Sequence, residues 1–255
     1  MIKCPYCGST EFKIINSTEK CIYCGGVIES DKNVFKRQEF NNDNKTTKTD
    51  NKLSATKIWD ICSKSICCIE CGNAAGTGFL IDDKGKVVTN KHVVNYDNNF
   101  LNKKVYCYFD HKRYLAKIEY ISSKEDIAIL NIGITNLKPL KLSDSNKVKV
   151  GEEIFIIGNS NGEGLCMKRG IISDINRVLN DGNRYIMSDI STVPGNSGSP
   201  LLNNSGEVIG LFSRGAMDMS ENGMEFSIPI NSIKTILRWN KMKKIIMMWK
   251  DFEGK

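Results

Sequence analysis

From Thr77 onward, short runs of β-branched and aromatic residues follow one another, each broken by Gly, Asn or Asp. TGFLID (77–82) enters the turn DDKG and continues as KVVTN (86–90). KVYCYF (104–109), YLAKIEYI (114–121), DIAILNI (126–132) and EIFIIG (153–158) come next. RYIMSDI (184–190), SPLLN (199–203), EVIGLFS (207–213) and MEFSIPI (224–230) complete the series. These runs predict strands, and no long helical period appears until Asn231. About a dozen short strands over ~180 residues suit a barrel or sandwich, since closure removes exposed edges. Upstream, ATKIWDICSKSICCI (55–69) predicts a helical turn leading into the first strand of this body. Downstream, NSIKTILRWNKMKKIIMMWK (231–250) predicts a helix that starts near the caps Asn231 and Ser232. Ile233, Ile236 and Leu237 share one face of it, whereas Trp239, Met242, Ile246 and Trp249 lie nearly opposite. Either the helix breaks near Trp239, or its second half packs on another surface, its own domain or a partner chain.

The polar stretches set the boundaries. NNDNKTTKTDNK (41–52) has no apolar residue and cannot bury enough surface to offset its ordering entropy. Residues 31–54 therefore read as a flexible linker between a small segment, 1–30, and a body, 55–238, followed by a basic amphipathic tail, 239–255. The 255 residues carry a net charge of +7, with seven Lys or Arg between Lys234 and Lys255 against Asp251 and Glu253. Such a tail favours acidic partners, nucleic acid or anionic lipid, or simply solvates a surface. Ten cysteines invite a disulfide reading, but the opening MIKCPYCGS has no apolar stretch of signal-peptide length. The longest apolar run, IIMMW (245–249), falls far short of the roughly 20 residues of a membrane span. A cytoplasmic protein with free thiols and a metal site is the expectation.

CPYCGS (4–9) and CIYCGG (21–26) are two copies of Cys-x-Tyr-Cys-Gly, with thirteen residues between Cys7 and Cys21. Two residues between cysteines let both thiolates face one ion, and Gly8 and Gly25 permit the turn. Cys4, Cys7, Cys21 and Cys24 thus form a closed four-thiolate set suited to structural Zn2+. Four unrelated thiols or two disulfides stay open as alternatives. The segment resembles a bacterial zinc ribbon, and the metal would supply most of its folding energy. It has three lysines and three glutamates, so a phosphate footprint is weak. Cys62, Cys67, Cys68, Cys71, Cys107 and Cys166 lack ligand spacing and read as small core residues.

PGNSGSPL (194–201) is good tight-turn chemistry by itself, but it also presents a serine between glycines. A serine nucleophile needs a neutral imidazole, a carboxylate to fix that imidazole's tautomer, and donors for the developing oxyanion. Of the two histidines, His111 sits in the polar turn FDHKRY and reads as solvated. His92, in VVTNKHVV, stands where an apolar strand gives way to a loop or short helix. Asp126, in SKEDIAIL, is the last charge before an apolar run, a position at the edge of the core. Each of these has a plain structural reading when taken singly.

Together, GTGFLIDDKGKVVTNKHVV (76–94), DIAIL (126–130) and SDISTVPGNSGSPLLNNSGEVIGL (188–211) resemble the trypsin-like serine peptidases, especially the HtrA-like branch. The resemblance covers roughly residues 55–236, with the motifs in the order His, Asp, Ser. It implies a mainly β fold, a double six-stranded β-barrel of chymotrypsin-like type, with the N-terminal zinc ribbon and the C-terminal helix attached. It implies a serine endopeptidase in which Ser197 attacks the peptide carbonyl, His92 transfers the proton and Asp126 orients His92. The oxyanion hole would be the loop of Gly195, Asn196 and Ser197, with Gly195 and Ser197 offering their backbone N–H groups and Asn196 holding the loop. Ser191 and Thr192 would lie near the base of the primary pocket, with Phe226, Ser227 and Ile228 along its wall. That alignment puts no carboxylate at the pocket base, so a small or medium apolar side chain is the expected preference. Glu225 bears on this, because a shift of one position in a strand reverses the face it points to. Ser199 replaces the glycine usual after Ser-Gly in the family, beyond the oxyanion loop. No PDZ-type module is expected in this chain, so targeting or activation would fall to a partner at the zinc ribbon or the tail. For the tail, docking on its own domain is the expectation, and oligomerisation stays open as the alternative. The other reading is a latent or inactive protease-fold scaffold that binds protein or nucleic acid through the ribbon and tail.

Overall fold

The structure, a computed structural model, describes residues 12–15, 18–21, 27–28, 52–94, 104–109, 111–215 and 224–253. The chain divides into two compact units, Met1–Thr49 and Asp50–Lys255. The first holds a three-stranded antiparallel sheet of β1 (Phe12–Ile15), β2 (Thr18–Cys21) and β3 (Val27–Ile28), in that order. Phe12 pairs with Cys21, and Glu19 with Ile28. Cys21 thus closes the central strand, while Cys4, Cys7 and Cys24 lie outside the described residues, as does the linker up to residue 51.

The second unit contains two closed six-stranded barrels. The first is built from β4 (Ile66–Cys71), β5 (Ala74–Leu80), β6 (Lys86–Thr89), β7 (Val105–Phe109), β8 (Lys112–Ile121) and β9 (Ala128–Asn131). They close in the order β4-β5-β6-β9-β8-β7. The second uses β10 (Glu153–Asn159), β11 (Leu165–Val178), β12 (Arg184–Ser188), β13 (Pro200–Asn203), β14 (Val208–Gly215) and β15 (Glu225–Pro229), in the order β10-β11-β12-β15-β14-β13. Closure pairs every edge, which is why so many short, alternating strands coexist without an exposed ladder. β7 shows the rule plainly: Val105, Cys107 and Phe109 point inward, with Tyr106 and Tyr108 between them on the outer face.

Three apolar clusters organise the body. One fills the first barrel with residues such as Ile69, Leu80, Val105 and Leu130. Another fills the second with Ile156, Ile186, Leu201 and Phe212. The largest joins the two barrels, bringing Phe79 and Ile129 against Phe155, Leu202 and Leu211. Helix α1 (Ala55–Cys62) enters this joining layer. Ser54 caps it by accepting from the Lys57 N–H, and Ile58 and Cys62, one turn apart, are both buried. Burial pushes the Cys62 thiol up to about 11, with Lys138 acting weakly the other way, so it stays a neutral packing group. Cys67, Cys71 and Cys107 are likewise buried; Cys68 and Cys166 are half-buried.

Helix α3 (Ile230–Glu253) is continuous through Trp239. Its first turns pack Ile230 and Ile233 into the joining layer, with Ile236 and Leu237 beside them. Trp239 and Met242 are exposed, so the switch of apolar face is met by a change of environment and not by a break. Among the described residues no helix is long and apolar enough to cross a membrane.

Candidate active site

Strand β6 ends at Thr89, and Lys91 starts the short helix α2 (Lys91–Val94). Val93 and Val94 are buried in the first barrel and anchor this turn, which leaves His92 at the surface. Asn90 reaches back, its Nδ2 donating to the Asp126 backbone carbonyl (2.9 Å). Asp126 sits just before Ile127 and the buried strand β9, so its carboxylate is held at the core edge. Oδ1 accepts the His92 backbone N–H (2.9 Å), and Oδ2 lies 2.6 Å from His92 Nδ1. A carboxylate on Nδ1 fixes that nitrogen as the protonated one and leaves Nε2 able to accept a proton. Burial is the largest single influence on Asp126 and acts to raise its pKa. The His92 hydrogen bond, charge and backbone N–H, with the Ser213 hydroxyl, together outweigh it and hold the carboxyl below its ordinary value.

Ser213, on β14, links this pair to Ser197. Its hydroxyl donates to Asp126 Oδ2 (2.8 Å), while its carbonyl accepts the Ser197 hydroxyl (3.4 Å). One residue of the second barrel therefore touches both the carboxylate and the serine. Neither composition nor spacing singled it out, although a serine ending the apolar run VIGLF was a visible irregularity.

The 194–199 loop is locked by its neighbours. Gly195 has φ +93°, and a Cβ there would stand 2.0 Å from the Asn159 carbonyl oxygen. Only glycine fits so close a backbone approach. Its preceding peptide is fixed because the Pro194 carbonyl accepts from the Asn161 N–H (2.7 Å). Its following peptide is fixed because the Gly195 carbonyl accepts from Thr77 Oγ1 (2.8 Å). Thr77, fully buried on β5, also accepts the Asn159 N–H through the same hydroxyl (2.9 Å) and donates its own N–H to the Ser197 carbonyl (2.8 Å). Among the described hydrogen bonds, none uses the N–H of Gly195 or of Ser197, so both are available as donors. Asn196 holds the loop from within. Its N–H goes to the Val193 carbonyl (3.2 Å), and its Oδ1 accepts from Ser160 Oγ (3.1 Å), so it braces the loop.

The expected pocket residues divide between two environments. The Thr192 N–H donates to Glu225 Oε1 (3.1 Å), and the Ser191 carbonyl accepts from Lys168 Nζ (2.8 Å). Along β15, however, Phe226 and Ile228 are packed in the layer joining the barrels, Phe226 edge-on to Tyr185 at 6.2 Å. Strand alternation then puts Glu225 and Ser227 together on the other face, the one paired with Ile186 and Phe212. Phe226 and Ile228 thus belong to the layer joining the barrels, while Glu225 and Ser227 share the opposite face of β15, close to Thr192 through the Glu225 carboxylate. A separate cavity of about 1160 Å³, lined among others by Trp59, Ile69, Tyr108 and Leu165, contains none of His92, Asp126 or Ser197.

Comparison with known proteins agrees with this architecture. Residues 76–211 match the family described as trypsin-like peptidase domain, over more than half of the chain. A probable periplasmic serine endoprotease DegP-like of Pseudomonas putida (strain W619) is 36% identical over 162 residues, which are 61% of this chain and 32% of that protein. The probable serine protease do-like of Buchnera aphidicola subsp. Acyrthosiphon pisum (strain APS) is 36% identical over 169 residues, 64% of this chain and 34% of that protein. The chain spans about a third of the length of these curated relatives. Among solved structures, HtrA-type protease AlgW with tripeptide superposes with a TM-score of 0.65 at 23% identity, covering 73% of this chain and 63% of that one, a likeness of fold. On the matched profile, the two closed barrels and the identity to these relatives, the chain belongs to the trypsin-like peptidase domain family.

Proposed function

We propose that the protein is a serine endopeptidase that cleaves peptide bonds in protein substrates. The observation that carries this reading is the double hold of Asp126 on His92, joined to Ser197 through Ser213. Rotation about the Ser197 side chain moves its hydroxyl from the Ser213 carbonyl to His92 Nε2. The oxygen then attacks the substrate carbonyl carbon as its proton passes to Nε2. The N–H groups of Gly195 and Ser197 meet the oxyanion, and Asp126 stabilises the imidazolium. The imidazolium gives its proton to the departing amine as the C–N bond breaks, leaving an ester on Ser197. Water, deprotonated by the same imidazole, hydrolyses that ester and restores the serine.

The test is intact-mass labelling with a fluorophosphonate, comparing wild type with Ser197→Ala. One adduct on wild type and none on the variant supports the peptidase. No adduct on folded wild type overturns it in favour of the scaffold reading.

Cys4, Cys7, Cys21 and Cys24 hold a structural Zn2+ in this proposal, supported by an all-thiolate donor set and by Cys21 closing a short antiparallel sheet. The ion would supply folding energy to the first unit and no chemistry to the second. Elemental analysis should give one zinc per chain, lost with Cys21→Ser; a zinc-free wild type would remove the site.

A further inference from the structure

Glu225 is 7% exposed, and of its two carboxylate oxygens only one has a partner, the Thr192 N–H. Oε2 is buried without a hydrogen-bond partner. Lys168, whose ammonium donates to the Ser191 carbonyl, makes no ion pair with Glu225, nor does any other cation among the described residues. On the same strands, Ser188, which pairs directly with Glu225, and Ser227, two positions along, each have a buried hydroxyl without a partner. A buried carboxylate left half-satisfied beside two unpartnered hydroxyls is costly for a fold unless something completes it.

The register of the second barrel says where this group lies relative to Ser197. The Ser197 hydroxyl touches the Ser213 carbonyl, and β14 runs two residues further to Gly215, which pairs with Glu225. Two residues along a strand are ~7 Å and one strand spacing is ~5 Å, so the Glu225 backbone stands roughly 9 Å from the Ser213 position. Thr192, which holds Oε1, precedes Ser197 by five residues and leads directly into the Pro194–Gly195 turn. Two independent chain paths therefore converge on one place, a long side chain's reach from the nucleophile.

Resting on the peptidase reading above, we infer that Glu225 is the base of the primary specificity pocket and selects a cationic residue, Lys or Arg, on the acyl side of the scissile bond. The substrate cation completes the pairing of Oε2, and the Ser188 and Ser227 hydroxyls offer it further acceptors. Thr192 positions the carboxylate through its backbone. An apolar side chain in the same place would seal a carboxylate away from water with one oxygen unpaired, which disfavours it.

The experiment measures kcat/KM on peptide amides that differ only in this residue, Lys, Arg, Gln, Val or Ala, for wild type and Glu225→Gln. Wild type should prefer Lys and Arg to Val and Ala by at least tenfold, and Glu225→Gln should reduce that ratio to below threefold. A wild type that prefers Val or Ala overturns the inference without any variant, as does a preference that survives in Glu225→Gln. A second readout needs no catalysis: p-aminobenzamidine fluorescence should rise on binding to Ser197→Ala and not to Ser197→Ala with Glu225→Gln. Failure of labelling with retained benzamidine binding would remove the peptidase and keep the cation pocket; labelling without benzamidine binding would do the reverse.

Discussion

Thr77→Val tests whether the oxyanion loop is held from the first barrel. Valine keeps the β-branched shape of threonine and replaces its hydroxyl by a methyl group, so the packing on β5 changes little. The hydroxyl has two buried partners, the Gly195 carbonyl (2.8 Å) and the Asn159 N–H (2.9 Å). Each orphaned buried group costs about 1–3 kcal/mol, and the added methyl recovers somewhat less than 1 kcal/mol. A net destabilisation of about 1–5 kcal/mol follows, readable by urea denaturation in a Ser197→Ala background that prevents self-cleavage. The Pro194 carbonyl is still held by Asn161, so Gly195 loses one of two anchors. Its N–H then spends part of its time misaimed, and the loss in kcat/KM should lie below the ~10²–10³ of a deleted oxyanion donor, at roughly ten- to hundredfold. Thr77→Ser keeps both hydrogen bonds and removes one methyl, so it should cost about 1 kcal/mol and retain most activity. If Thr77→Ser is as damaging as Thr77→Val, the residue acts by packing. If Thr77→Val lies within threefold of wild type and loses under about 1 kcal/mol, the brace does not exist.

Gly195→Ala forces a Cβ to within 2.0 Å of the Asn159 oxygen at a φ of +93°. The loop must shift, and fluorophosphonate labelling should slow by ~10²–10³ with the barrels still folded; unchanged labelling would show that the Gly195 N–H is not used. Ser213→Ala removes one donor from Asp126 while leaving the carbonyl that holds Ser197, so kcat/KM should fall roughly tenfold, a loss of about 1.4 kcal/mol. The pH dependence follows from the lowered pKa of Asp126. Its stabilising contribution is complete above the ordinary carboxylate range near 4 and is lost as pH falls through the lower folded value. In Ser197→Ala protein the thermal midpoint should fall across that window, and Ser213→Ala should move the fall to higher pH. A midpoint that falls at the same pH in both would mean that Ser213 does not stabilise the carboxylate.

The strands were legible because they are short, β-branched and punctuated, and because closed barrels bury every second residue, as β7 does with Val105, Cys107 and Phe109. His92 and Asp126 were legible because a polar group at the end of an apolar run has few structural uses, and the two meet as expected. Ser213 was not, since a single serine within an apolar strand has the same local pattern whether it fills space or ties two loops together. Thr77 was hidden for a related reason: its partners, Asn159 and Gly195, are 82 and 118 residues away. The faces of β15 were the least legible feature. The motif MEFSIPI located the strand, but face assignment needs register, and period-two alternation turns a one-residue shift into an exchange of Phe226 for Glu225.

The long-range contacts also explain why this site needs two barrels. Asp126 is held at the edge of the first barrel yet accepts Ser213 from the second, and Thr77 of the first barrel holds Asn159 and Gly195 of the second. Each contact joins the two barrels, as does the apolar layer that contains Phe79, Ile129, Phe155 and Leu211. A shear between the barrels would therefore move the carboxylate from Ser213 and the oxyanion loop from Thr77 together, while leaving each barrel's interior cluster intact. His92 and Asp126 share the first barrel and would keep their own geometry under such a shear, whereas the Ser197 loop would not keep its place beside them. The alignment of Ser197 with His92 is thus a property of barrel docking, and the buried Thr77 and Ser213 are polar ties between the two barrels.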